Sequence, residues 1–567
     1  SGNIASSRIR LFGNGGTMLP ENNAIPRHQD LQENAILVVG GGDGVFGPGD
    51  YFLFYANGPD AWHKDSANRS FVYEKNLYED KSYYFLNLDG DGGLRVASQG
   101  SVPAANVTVT AFDDYLAHEE DLVSISKIGK EWVGETFSNM PGQTTSHTFT
   151  FNIGPVSGPV SMQLKLASSA DMGSNIFTVT ANGQQVDRYV LGASSDSRLA
   201  ILAGGTYNIP VSGNTLNVKI DYQPGGSDSK GYLDYIVLRM RKPLRFSGSQ
   251  LAFRDWQAVG DGRVARYELQ QAGASVRVWD ITNPLRPVAM NGTLNGGTYA
   301  FVQDASSLHE FIAYDGTQFH TPQYVDKVAN QNLHGMGDVD YIIVTDPRFA
   351  DAANRLADFH RQHSGLRTAV TFTEKIYNEF SSGSQDVSAI RDFVKMFYDR
   401  AGNDTSRMPR YLLMFGDASY DYRNRLPNNT NYVPAFQSRA SYYLDSASCN
   451  DDFFALLDDN EHIEDYSIPN TMDIGVGRLP VRTAEEATNI VNKIIHYKSA
   501  ASLGPWRLNN TYIGDNEDAA GAHLEDAEVM AGLISRLDPI YNNVKIYLDN
   551  MPFVSTPGGA RCPEGNK

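Results

Sequence analysis

Two cysteines, twelve histidines and 66 acidic side chains are the groups in this sequence from which covalent or acid–base chemistry could be built. A cysteine nucleophile needs a base within hydrogen-bond reach and donors that stabilise the thiolate. Cys449 lies in SASCNDDFF, after Asp445 and before Asp451 and Asp452. Neighbouring carboxylates raise a thiol pKa, so this setting reads as an ordinary loop or partly buried cysteine rather than a nucleophile. Cys562 lies in a Gly- and Pro-rich tail, where nothing fixes its geometry. Two cysteines also leave no disulfide scaffold and no cysteine-rich zinc finger, although one bridge between them stays open.

Acidic residues offer more. TYIGDNEDAAGAHLEDAE reads as the end of a strand and the mouth of a helix, and carries Asp515, Glu517 and His523. Acids at that position favour the positive end of a helix dipole, which is one sufficient reason for their presence. Asp417 follows the apolar run YLLMFG. Strand-end acids of this kind occur both in active-site clefts of α/β sheets and as turn formers. Asp451, Asp452, Asp458 and Asp459 supply hard oxygen ligands suited to calcium, but match no EF-hand spacing and read first as a solvated acidic loop. The glycines of VVGGGDGVFGPGD invite a phosphate-loop reading; Pro48 and Asp50 follow where a helix with Lys and Ser or Thr is required, so a plain turn is expected.

These groups need a scaffold, and 567 residues exceed what one hydrophobic core supports. Hydrophobic residues at 41%, with 52 Gly, 30 Tyr and 27 Phe, describe a folded, turn-rich chain with much β-structure. The net charge of −19 has no basic stripe, which excludes the phosphate-neutralising surface of a nucleic-acid binder. No stretch approaches the roughly 18 to 20 apolar residues of a membrane span. The opening SGNIASS lacks a secretory leader's pattern and is expected to be a processed or engineered start.

Four modules are expected. Residues 1–135 alternate aromatic runs with glycine turns and read as a β-rich domain. Residues 136–242 read as a β-sandwich: Leu216, Val218, Ile220 and Tyr222 share one face of a strand, and Asn182-Gly183 is a hairpin signal. Residues 243–335 read as a small β-domain or connector. From residue 336 to 567 strands alternate with helices. VDYIIVTD, LRTAVTF and YLLMFGD read as strands; Ala352, Leu356, Phe359 and His363 mark one helical face ending at Gly365, and Val387, Ile390, Phe393, Val394 and Phe397 another ending at Gly402. DIGVGRL leads to a helix with a Thr483/Glu486 capping box and a buried face of Ala487, Ile490, Val491 and Ile494. TYIGDN, a helix over about 523–537 and VKIYLD follow. A mostly parallel sheet with function at its carboxyl edge is implied.

The blocks DYIIVTDPRFADAANRLADFHRQHSGLRTAV, YLLMFGDASYDYRN, SCNDDFFALLDD and DIGVGRLPVRTAEEATNIVNKIIHY, in that order, resemble the gingipain-like cysteine peptidases of family C25. RLFGNGG, DLQENAI, FGPGDYFLFYANGPDAW and DYLAHEEDLVSISKIGKEWVGETF resemble the front modules of that family's type IX secretion sortases. The fold class expected is therefore multidomain: β-rich modules including a sandwich, then an incomplete caspase- or gingipain-like α/β domain. The resemblance implies a cysteine endopeptidase and transpeptidase of the bacterial cell surface, associated with the outer membrane. It would remove the C-terminal sorting domain of secreted cargo and attach the cargo to anionic lipopolysaccharide. The partners it implies are the barrel PorV, the surface proteins PorZ and PorQ, cargo sorting domains and the lipopolysaccharide. It places the catalytic cysteine and histidine beyond Lys567, so these 567 residues are expected to be catalytically silent. It assigns Glu517, or else Asp515, to orient the histidine. His523 stands where arginine-specific relatives carry a substrate-binding carboxylate, and an imidazole there argues against cutting after basic residues. No cofactor is implied. A secreted protease that only hydrolyses, and a non-catalytic surface binding protein, are the competing readings.

Overall fold

The computed structural model describes residues 4–170, 172–465, 467–515, 521–556 and 559–562. It divides into two compact units, Ser1–Ala487 and Thr488–Lys567.

In the first unit the front segment is built of short strands. Arg10–Phe12 lies between Glu33–Asn34 and Phe85–Asn87, all antiparallel. Leu37–Val39 pairs with Tyr51–Leu53 across the glycine-rich stretch. That stretch is a hairpin connection with one 3-10 turn at Gly41–Asp43, and no helix follows it, in keeping with the turn expected there.

The sandwich consists of two antiparallel sheets. One contains β1 (Ala111–Glu119), β3 (Val160–Ser169), β6 (Ile201–Ile209) and β8 (Lys230–Pro243) in the order β1-β8-β3-β6. The other contains β2 (Ser146–Asn152), β4 (Asn175–Ala181), β5 (Gln184–Leu191) and β7 (Thr215–Gln223) in the order β2-β7-β4-β5. Their facing residues form one core, in which Leu216, Val218, Ile220 and Tyr222 of β7 meet Met162, Leu164, Ile236 and Leu238. The alternation read from the sequence is this inward face. Asn182 and Gly183 both have positive φ, 46° and 84°, the geometry of a type I′ turn between β4 and β5.

Sheet membership does not follow chain order at the module borders. Ala97–Ser98 and Val107–Val109 pair in parallel with Val288–Ala289 and Val264–Gln270, strands of the small β-domain. The next strand, β1, joins the sandwich instead. An isolated edge strand leaves unpaired N–H and C=O groups, and this lacing satisfies them.

The α/β part has a four-stranded parallel sheet of β9 (Tyr341–Thr345), β10 (Thr368–Phe372), β11 (Tyr411–Phe415) and β12 (Gly475–Leu479), ordered β10-β9-β11-β12. Helix α1 (Ala350–His363) connects β9 to β10, and α2 (Thr373–Phe380) and α3 (Val387–Ala401) connect β10 to β11. Ala352 and Leu356 are buried; Phe359 is half-buried and stacks on His363 with centroids 5.0 Å apart. Gly365, at φ 68°, follows the end of α1. Val387, Ile390, Phe393, Val394 and Phe397 of α3 are all buried in the core, as their spacing requires. Asp386 caps α3, accepting from the Ser388 N–H at 2.8 Å and from the Leu19 N–H at 2.8 Å, so one carboxylate fixes both a helix start and the front segment. Thr483 and Glu486 form the reciprocal capping box before α4 (Ala484–Tyr497), at 3.1 and 3.2 Å. Ala487 and Val491 are buried on that helix and Ile490 and Ile494 half-buried.

The second unit pairs β13 (Asn509–Gly514) in parallel with β14 (Asn542–Tyr547), connected by α5 (His523–Leu537).

Candidate functional site

In the first unit the carboxyl edge of the parallel sheet is organised by Arg478, which sequence reasoning missed. Its Nη1 donates to the carbonyl oxygens of Gly416 at 2.9 Å and Val433 at 2.6 Å, tying β12 to the loop after β11. Its Nε and Nη2 form a two-pronged pair with Asp451, each at 2.7 Å. The signal for it was an arginine inside the otherwise apolar run DIGVGRL, where a charge must find partners.

Asp417 is buried and accepts from Thr430 Oγ1 at 2.6 Å and from Arg482 Nε at 2.6 Å. Both bonds fall on one carboxylate oxygen, and the backbone of Asp417 also receives N–H groups from Tyr432 and Val433. This strand-end acid organises the β11 turn.

Cys449 sits on a two-residue strand paired with Phe436–Gln437 and is exposed. Crowding by protein and the Asp451 carboxylate push its thiol up, against the opposing charge of Arg478. Its described neighbours supply no histidine base. Cys562 is half-buried, and no disulfide joins it to Cys449.

The four acids considered for calcium are not brought together. Asp451 pairs with Arg478 and Asp459 with Lys395 at 2.8 Å; Asp458 accepts from Tyr398 Oη at 3.0 Å. Among the described residues the grouping that brings metal-ligating atoms together is Asp30, His334 and Glu379. There His334 Nδ1 is 2.7 Å from Glu379 Oε2 and Nε2 is 2.9 Å from the Gln29 carbonyl oxygen. The ring bridges the two and clasps the front segment to α2.

In the second unit Asp515 and His523 line one open depression together with Asp526 and Met530. Asp515 follows β13 directly and His523 is the first residue of α5; both are exposed. The helix start has Glu525 and Asp526 in its first turn and no side-chain cap from Ala522. Glu517 lies outside the described residues.

Residues 335–567 match the model of peptidase family C25. The chain is similar to the crystal structure of dimeric latent PorU from Porphyromonas gingivalis, with a TM-score of 0.76 and 25% identity over 92% of this chain and 51% of that one. It thus spans about half the length of that protein. Two carbohydrate-binding modules align with 22% of the chain: one from a xylanase of the Trinervitermes trinervoides hindgut metagenome, at 15% identity over 96% of its own length, and a CBM36 described with calcium and xylotriose, at 14% over 98%. Their TM-scores of 0.15 and 0.14 are too low to bear on function. A comparison with curated proteins finds no match. No helix among the described residues is long and apolar enough to cross a membrane. The α/β part, with its parallel sheet and helices, carries the match to peptidase family C25, and the chain that carries it is similar in fold to PorU over 92% of its length.

Proposed function

We propose that this chain is the front and central part of a cysteine endopeptidase and transpeptidase that removes the C-terminal sorting domain of secreted cargo and transfers the cargo to anionic lipopolysaccharide at the bacterial surface. The observation that supports this most is the likeness to PorU over 92% of the chain, which takes in the β-rich modules as well as the peptidase domain. In such a reaction a thiolate attacks the scissile carbonyl, the sorting domain leaves as the amine, and an acceptor amine in place of water resolves the thioester. The cysteine and histidine of that step are assigned to sequence following Lys567, with Glu517 or Asp515 orienting the histidine and His523 and Asp417 near the substrate. PorV, PorZ and PorQ are the proposed partners.

The test uses cargo carrying its sorting domain, incubated with this chain and with a chain extended through the rest of its reading frame. Release of the sorting domain by the extended chain only, with an acceptor amine joined to the cargo, supports the reading. Cleavage with water as the sole acceptor supports the hydrolytic protease instead. Cleavage by the 567-residue chain that disappears in Cys449→Ala overturns the site assignment.

A further inference from the structure

Where the front segment, the sandwich and the α/β part of the first unit meet, they enclose a cleft of about 660 Å³, within the size range of small-ligand and peptide sites. Its floor is the outer face of the sandwich sheet. The antiparallel register sets Glu119, Tyr235 and Lys165 in one cross-strand row, Ala117, Val237 and Gln163 in the next, and Tyr115, Arg239 and Ser161 in the third. Successive rows on one face are two residues apart, so Glu119 and Arg239 are separated by about 13 Å along the strands.

Most charges in this cleft are matched. Asp121 pairs with Arg425 at 2.9 Å, Asp234 with Lys165 at 2.9 Å, and Glu21 with Lys130 at 2.7 Å. Two are not. The half-buried Glu119 carboxylate has no hydrogen bond or ion pair among the described residues; desolvation and the carboxylates of Asp234 and Asp121 push it up to about 8, against the cation of Lys75, which pairs with Asp60 at 3.6 Å. Arg239 donates to the Phe71 carbonyl oxygen at 2.5 Å and to Gln163 Oε1 at 3.1 Å, but forms no ion pair among those residues, the Asp65 carboxylate acting on it only from beyond contact distance. Desolvation keeps Glu119 largely protonated near neutral pH and leaves Arg239 short of a close anion, and a ligand bearing the opposite charge at each position favours the ionised pair. An extended peptide repeats its side chains on one face every two residues, the same period as the rows of this floor. The half-buried Tyr235 supplies apolar surface between the two charges, with Val237 buried beneath the floor.

We propose that this cleft binds an extended peptide segment, with a lysine or arginine side chain on Glu119 and an acidic group four residues away on Arg239. The cation completes Glu119, the acid completes the free edge of the guanidinium, and the intervening residues lie over Tyr235 and Val237.

The probe is the capped pentapeptide acetyl-Lys-Ser-Gly-Ser-Glu-amide, titrated calorimetrically into the whole chain. Saturable one-to-one binding is expected, weakened about tenfold or more by Glu119→Gln and equally by norleucine in place of the probe's lysine, with no further loss when the two are combined. Because Glu119 has no hydrogen-bond or ion-pair partner among the described residues, Glu119→Gln is expected to melt at or above the wild-type temperature, which separates a ligand contact from a structural one. No saturable binding, binding indifferent to the lysine, or a lowered melting temperature in Glu119→Gln overturns the proposal. The norleucine arm tests the lysine contact on the wild-type chain, independently of the variant.

Discussion

Arg478 and Asp451 face each other with two parallel hydrogen bonds of 2.7 Å, joining the fourth strand of the parallel sheet to the loop that carries Cys449. Both side chains are mostly shielded, at 14% and 20% exposure. A fork-to-carboxylate pair in such a place is worth more than a surface ion pair, and removing one partner strands the other. Asp451→Ala is therefore expected to destabilise the chain by about 2–4 kcal/mol. Denaturant titration followed by tryptophan fluorescence checks it, and an unchanged midpoint would sink the assignment.

The same pair sets the reactivity of Cys449. Its thiol is pushed up by crowding and by Asp451, so alkylation by iodoacetamide at pH 8 is expected to be slower than that of a free cysteine. Asp451→Asn removes the raising charge and leaves the Arg478 cation, so the alkylation rate should rise several-fold. A rate that stays level or falls contradicts this account. Cys449→Ala is expected to leave the peptidase activity of a longer chain unchanged.

Glu119 gives a stability signature with a definite sign. Its folded pKa of about 8 lies above the ordinary 4.5, so the folded chain holds a proton that the unfolded chain has released. The resulting stability is present in full below about pH 4.5 and is lost as pH rises through about 8. Asp121, raised to about 6, contributes in the same direction over a lower window. Melting temperatures of the wild type and Glu119→Gln should converge toward low pH and diverge toward pH 8, with the variant higher. Parallel curves would refute this.

Glu379 has the opposite sign. Burial alone would raise it, but donors from Leu333, Gln331 and His334 hold it below its usual 4.5. Its stabilisation is present above that value and is lost as pH falls below it. Glu379→Gln should flatten the acid limb of the pH–stability curve and free the front segment for limited proteolysis near Gln29, where His334 loses its carboxylate. An unaltered acid limb would count against the clasp.

Much of the parallel sheet was legible because apolar strands and 3.6-residue faces are local signals: α3 buries the five residues its spacing names, and Thr483 and Glu486 cap α4 as a four-residue motif allows. The I′ turn at Asn182-Gly183 was legible for the same reason. Arg478 was not read, because its partners at Gly416, Val433 and Asp451 come from three separate stretches and no spacing along the chain encodes their convergence. The unpaired state of Glu119 was hidden likewise. It depends on which neighbours Asp121 and Asp234 spend their own cations on, a property of the assembled cleft. The parallel pairing of Val107–Val109 with the small β-domain lies beyond any local pattern.

That last pairing sets a timetable for biosynthesis. Val107 waits for Ala265, about 160 residues later in the chain. At ribosomal speeds of about 5–20 residues per second the early strand stays without its mate for roughly 8–30 s. During that interval an open backbone edge must be kept from other chains. An attempt to express the first hundred or so residues alone would make that exposure permanent.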